Sequence, residues 1–362
     1  MIPIVSLDGS CIVGSGVGVP HRAASGSKHK WESFMTRRSA MRFAIVASGL
    51  LALGFASAAA AEPPPVFLLK WGTPGTAPGQ MLQPHGMAVD ASGNVYVGEW
   101  AGDRIQKFDS NGGFLQQFAS AGSGDGQILH TSGVAVDASG NVYVPDYGNN
   151  RIEKFASSGA FLTQWGSVGT ADGQFRAPLG VAVDGSGNVY VVDFYNHRIQ
   201  KFDSNGNFLT KWGAHGTADG EFETPCAVAV DGSGHVFVTD FNHRVQKFDT
   251  NGIFLGKWGT NGAGDGEFSY PAGIAVDRMG DVYVVDRENA RVQKFDENGV
   301  FVTKWGTLGA GDGQFRLPIG IAVDAQFNVY VADQLGNRVE KFGLAIVSVE
   351  QADWGAIKAM FR

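Results

Sequence analysis

The chain has 362 residues, 28 Lys and Arg against 35 Asp and Glu for a net charge of −7, and two cysteines. That length can bury a sizeable core. The acidic balance argues against a nucleic-acid partner, whose phosphates call for a basic surface, and two cysteines exclude a disulfide-built scaffold.

In chain order, the first interpretable segment begins at Met35. Residues 35–42 are basic, residues 43–56 are apolar and uncharged, and residues 57–61 are small, ahead of Glu62-Pro63-Pro64-Pro65. This is the three-part layout of a secretory signal peptide over 35–61, with cleavage after Ala61. The 14-residue apolar stretch is short for a membrane span. An uncleaved anchor is the alternative. Residues 1–34 are expected to be a disordered start-site extension, since a signal rarely starts so late. The mature chain would hold 22 Lys and Arg against 33 Asp and Glu, near −11, with Cys226 as its sole thiol once Cys11 is removed. The expectation is a monomeric protein, secreted or periplasmic (cell envelope), with no integral membrane span in the mature chain and no disulfide.

After a Pro-rich linker (62–66), a repeat occupies the chain from Phe67 to Phe342. The tripeptide Ala-Val-Asp ends at Asp90, Asp137, Asp184, Asp231, Asp277 and Asp324, at spacings of 47, 47, 47, 46 and 47. A fixed period in this range marks units that bury their core against one another. In the third copy, the apolar run 180–184 precedes the turn cluster 185–187. The β-branched and aromatic run 188–193 reads as a second strand. Residues 198–202 alternate in polarity, and a turn at 203–206 leads to 208–212. Four antiparallel strands per copy, with no helical periodicity of useful length, predict an all-β, six-bladed β-propeller. The sixth copy lacks its outer strand, and Phe67-Leu68-Leu69-Lys70-Trp71 matches the outer strand at 254–258, so the N-terminal strand is expected to close the last blade. Residues 344–349 are the rival strand, without the Asx-Gly turn that precedes the outer strand in most other blades. In the tail, 343–362, a capping box at 348–351 and Trp354, Ile357 and Phe361 on one face predict a short amphipathic helix. It would dock on the propeller or serve as a docking or sorting peptide.

The residues now reached carry a family resemblance. The run Gly-x-Gly-Asp/Ala-Asp-Gly-Gln-Phe-x-x-Pro-x-Gly-Val-Ala-Val-Asp, then Asn-Val-Tyr-Val-x-Asp, then Asn-His-Arg-Ile-Gln-Lys-Phe, resembles the NHL repeat. Asn196-His197-Arg198 and Asn242-His243-Arg244 hold tripeptides similar to the Asn-His-Leu that names the family. The resemblance covers 67–342 and implies a six-bladed propeller. It implies little about activity, because the family includes binding modules, RNA binders and a lyase.

In such a ring, the loops between the second and third strands, and those joining successive blades, share one rim, the top face. Sequence variation concentrates there. Each second strand ends in a carboxylate (Glu99, Asp146, Asp193, Asp240, Asp286, Asp333) followed four or five residues later by Arg104, Arg151, Arg198, Arg244, Arg291 or Arg338. Six carboxylates could suggest a metal or catalysis, but a strictly repeated ion pair within bidentate reach reads as a blade staple. A second position, between the loop's Pro and the Gly that opens the first strand, is held by His85, Ser132, Leu179, Cys226, Ala272 and Ile319. It should face the channel mouth. In one NHL relative, the peptidyl-hydroxyglycine amidating lyase, comparable motifs carry zinc-binding histidines, and the resemblance extends to Pro84-His85-Gly86-Met87 and to Asp286-Arg287-Glu288-Asn289. Here a catalytic zinc would lack its three ligands: His85 and Cys226 are the only candidates, and no metal site is assigned.

A third position, just after the ring carboxylate, carries Trp100, Tyr147, Phe194 (followed by Tyr195) and Phe241, then Arg287 and Gln334. Clustered rim aromatics fit a contact surface, with packing over each blade's own loop as the plain alternative. The candidate binding residues are therefore His85, Trp100, Tyr147, Phe194, Tyr195, Phe241 and Arg287. Asp184–Asn188 resembles part of a calcium loop without its closing glutamate, and no triad, phosphate loop or Cys-x-x-Cys stands out. Beyond the paired ring, the top face carries Arg176, Arg287 and Arg316 against ten acids, a net −7, which argues against RNA. No cofactor is evident, although zinc or calcium is conceivable. The reading is an exported scaffold binding a protein, peptide or glycan on its top face; the alternative is a metal-dependent lyase or lactone-type hydrolase working at the channel mouth.

Overall fold

A computed structural model describes residues 62–344. The expected start-site extension, signal peptide and C-terminal helix from Ser348 lie outside them. Six four-stranded sheets are present, and five of them are each one copy of the repeat. In blade three, strands a to d are Pro178–Val183, Val189–Asp193, Arg198–Phe202 and Phe208–Trp212, hydrogen-bonded in chain order. Strand b (Val-Tyr-Val-Val-Asp) is buried along its whole length because its sheet is packed on both faces by neighbouring blades, whereas outer strand d alternates half-buried and exposed.

The Ala-Val-Asp marker is a turn device. Asp184 Oδ1 accepts from the Ser186 and Asn188 amides, each at 2.9 Å, and its Oδ2 accepts from Asn188 Nδ2 at 2.8 Å and Tyr190 Oη at 3.0 Å. These bonds preset the a–b hairpin before any tertiary contact forms, and they occupy the oxygens that a calcium reading would need.

Blade six is assembled from both ends of the domain. Val66–Trp71 pairs antiparallel with Arg338–Gly343, from Val66 opposite Gly343 to Trp71 opposite Val339. The closing strand is thus the N-terminal one. Trp71 then packs between Tyr330 of its own blade and Phe108 of blade one, at ring-centroid distances of 6.2 and 5.9 Å.

The core is a chain of inter-blade clusters. One of them joins Met81, Val95, Val97 and Phe108 of blade one to Tyr330, Ala332 and Val339 of blade six. Around the channel, strands a touch backbone to backbone: a Cβ on Gly180 would lie 2.8 Å from Ala227 Cα, and one on Gly320 would run into the His85 carbonyl. Glycine is required there because neighbouring backbones occupy the space of a side chain. Blade two departs from the pattern. Thr131 replaces the loop proline, and strand a shrinks to Ala135–Val136 beside an isolated bridge from Thr131 to Asp146.

Candidate functional site at the channel mouth

A β-bulge opens strand a. In blade one the pairing jumps from Pro84–Glu99 to Met87–Val97, so one extra residue is inserted at His85-Gly86, and equivalent shifts occur at Leu179, Cys226, Ala272 and Ile319. A bulge bends its strand and re-aims a side chain. Here it helps aim this position at the axis: His85, Ser132, Leu179, Cys226, Ala272 and Ile319 all line a central cavity of about 510 Å³. The deeper wall is apolar, built from Met87, Val134, Val181, Val228, Ile274 and Ile321.

The rim is made by the b–c loops, and Trp100, Tyr147, Phe194, Tyr195, Phe241, Arg287 and Gln334 all reach the cavity. Its rings pack against one another across blade boundaries. Trp100 meets Tyr147 edge-on at 4.9 Å, Phe194 meets Phe241 at 6.1 Å, and Phe241 meets Tyr270 at 5.2 Å. Burial, with the neighbouring Tyr195 hydroxyl adding to it, pushes the Tyr147 pKa up to about 12. Trp100 is also stacked by His85 at 5.4 Å and His130 at 5.0 Å. The expected arc of four blades therefore extends to a fifth through Tyr270. His130 and Tyr270 were missed because they stand one residue before the loop Pro (or Thr131), a position that also varies between copies. Its backbone is left-handed, with φ of 59° at His130 and 53° at Tyr270, which turns these side chains back over the preceding blade.

His85 Nδ1 lies 2.6 Å from the Ser132 carbonyl, which can only accept. Nδ1 therefore carries the proton, and the lone pair sits on Nε2. Burial pushes its pKa down to about 4 despite that bond, and the nearby Arg287 charge pushes the same way. Cys226 is buried, and burial drives its thiol strongly up, away from thiolate. His85 and Cys226 belong to blades one and four, opposite members of the ring, and among the described residues no three His, Cys, Asp or Glu side chains gather as a metal site.

The carboxylate–arginine pairs form at 2.7–3.0 Å in five blades, through Nε, with the carboxylate fully buried. Contact is not bidentate. In blade three the terminal nitrogens of Arg198 turn instead to the carbonyls of Thr170, Ala171 and Gln174 in the incoming inter-blade loop. Asp193 meanwhile accepts from Arg198, Asn196, Gln200 and the Arg176 amide. In blade six Asp333 reaches Arg338 through a terminal nitrogen at 3.2 Å. None of the six carboxylates lines the cavity. The Asn-His-Arg tripeptide is joinery as well: Asn196 donates to the Gly169 carbonyl, and His197 Nδ1 accepts from the Thr224 amide of the next loop at 3.1 Å.

The profile of the NHL repeat matches residues 132–155, 175–202 and 268–295, within blades two, three and five. No curated protein matches this sequence. Among solved structures, a Bacteroides thetaiotaomicron protein of unknown function superposes with a TM-score of 0.61 at 17% identity, covering 75% of this chain and 74% of its own. A gluconolactonase of Xanthomonas campestris gives 0.56 at 15%, covering 78% and 96%. A streptogramin B lyase gives 0.55 at 14%, covering 77% and 98%. At these identities the likeness is one of fold. Matched repeats on blades of a single plan, closed into a ring of six, make this chain an NHL-repeat β-propeller.

Proposed function

We propose that the protein is an exported binding scaffold that takes a protein, peptide or glycan ligand at the top-face mouth of its channel. The observation that carries this reading is the set of aromatic contacts on the rim, Trp100 with Tyr147 and Phe194 with Tyr195 and Phe241, around an open, apolar cavity. These ring pairs lie outside the invariant joinery, and concave apolar sites with a few polar groups are where ligands bind. The leader composition supports export, and the acidic top face disfavours nucleic acid.

Interface aromatics cost about 2 kcal/mol or more when truncated. Trp100→Ala and Phe194→Ala are expected to weaken a ligand found on peptide and glycan arrays at least about tenfold, with a melting temperature near the parent's. Unchanged affinity in both variants would overturn the reading. A second reading, a lyase or lactone hydrolase, is favoured by one observation: the neutral His85 imidazole in the cavity. Hydrolysis or elimination that is abolished by His85→Ala would replace the scaffold reading.

A further inference from the structure

Among the residues lining the cavity, Arg287 is the sole Lys, Arg, Asp or Glu. It occupies the rim position that holds Trp100, Tyr147, Phe194 and Phe241 in blades one to four, so blade five exchanges a ring for a guanidinium. Its Nε is buried without a hydrogen bond, although the Glu288 carboxylate stands 3.3 Å away. Glu288 is not part of the cavity lining. His85 is neutral through most of the pH range and Cys226 stays a thiol, so neither offsets or duplicates the arginine's charge inside the cavity. Arg287 acts electrostatically on both of these groups, which face each other across the ring. One permanent cation in an otherwise uncharged cavity complements one anion, and a guanidinium is shaped for a carboxylate. The deep apolar wall, with hydrogen-bonding side chains such as Gln83, His85, Ser132, Tyr147, Tyr195 and Gln334 confined to the mouth and rim, suits a body that is itself largely apolar. The acidic surroundings would repel a polyanion but admit a single charge.

Resting on the reading of the cavity as a ligand site, we propose that the group entering it is a carboxylate on an apolar body, of the kind found at the C-terminal residue of a peptide, with Arg287 as its anchor. The probes are N-acetyl-L-phenylalanine and its C-terminal amide, which differ in charge and little in shape, together with D-glucuronate. Affinities would be measured by calorimetry on the exported form of the chain and on the Arg287→Gln and Arg287→Lys variants, with melting temperatures recorded for each. A charge-assisted hydrogen bond supports at least about tenfold preference for the acid over the amide. Arg287→Gln should erase that preference by weakening the acid at least about tenfold more than the amide, and Arg287→Lys should keep part of it. Equal binding of acid and amide would overturn the role of Arg287 and leave the cavity as a ligand site. Preferential, Arg287-dependent binding of glucuronate would overturn the apolar body. Binding of none of the three would overturn the proposal, and the Trp100→Ala test would then decide separately whether the cavity binds anything.

Discussion

Two regions of this propeller lie a few residues apart in sequence and follow opposite rules. Where strands b and c meet the incoming loop, each blade uses a carboxylate, an arginine and a set of loop carbonyls, joined through Nε in five blades and through a terminal nitrogen in the sixth. One bulge away, at the mouth, the equivalent positions read His, Ser, Leu, Cys, Ala and Ile, and the rim reads four aromatics, an arginine and a glutamine. The joinery answers a problem that recurs identically at each blade boundary, so one solution serves throughout. The mouth faces one shared cavity from six directions, so no two positions see the same surroundings relative to a bound ligand. Repetition therefore identifies what holds the ring, and departure from repetition marks the positions on which the proposed ligand site rests.

That contrast breaks most severely if the ring itself is opened. Deleting Phe67–Trp71 removes strand d of blade six with the half-buried Phe67, Leu69 and Trp71 side chains, each worth part of the roughly 1.5–3 kcal/mol of a fully buried large side chain, together with the ladder to Arg338–Gly343. A loss of several kcal/mol is expected in denaturant melts, and a truncated chain as stable as the parent would refute closure as a source of stability.

Next in size is the strut. Asp193→Ala leaves Arg198 buried without its carboxylate and Asn196, Gln200 and the Arg176 amide without their acceptor. Breaking a buried pair in this way costs about 3–5 kcal/mol. Ligand affinity in the folded fraction should be unaffected, and a stable variant with altered binding would move the ring from joinery to recognition.

The smallest effect sharpens the comparison inside the joinery. The third residue of strand c is Gln106, Gln200, Gln246 or Gln293 in four blades but Glu153 and Glu340 in blades two and six. Gln200 donates Nε2 to Asp193 and to the Gln174 carbonyl while its Oε1 accepts from Gly173 N. A glutamate can copy that pattern only when protonated. Both glutamates are fully buried, and burial raises each to about 7, against partial opposition from Arg151 and Arg338 and with Asp146 and Asp333 adding to the rise. The folded chain therefore binds more protons than the unfolded one between the ordinary glutamate value of 4.5 and about 7. Stability from these two groups is full below that window and declines as pH rises through it. Glu153→Gln and Glu340→Gln should be near neutral at pH 4 and stabilising by about 1–3 kcal/mol at pH 8. Melting curves that shift equally at both pH values would show that these carboxyls do not titrate there.

The period, the four strands, the closing strand and the channel-facing position of His85 were legible because each is written within one copy or by comparing aligned copies. What was not legible depends on contacts between copies. His130 and Tyr270 join the rim by reaching back over the preceding blade, and Lys154 and Lys201 donate to the Ser204 and Thr250 carbonyls in the c–d turn of the following blade. Residues about 47 positions apart must be placed side by side before such partners show. The same holds for Arg287, whose isolation as the cavity's single charge is a property of the whole lining and cannot be read from its own segment.

Closure from both ends also sets an order of events. Val66 and Gly343 bracket the domain in sequence yet pair directly, so blade six cannot be completed until the last strand of the ring has been made. Such pairing has the greatest loop-closure cost in the fold and is expected to form late. The N-terminal strand must wait with its edge uncovered while five blades accumulate. Once it docks, the two ends of the domain are neighbours, so the same ring could be cut at any short c–d turn and rejoined at residues 66 and 343. In a circle of near-equivalent blades, the position of the seam is a matter of synthesis and leaves the finished shape unchanged.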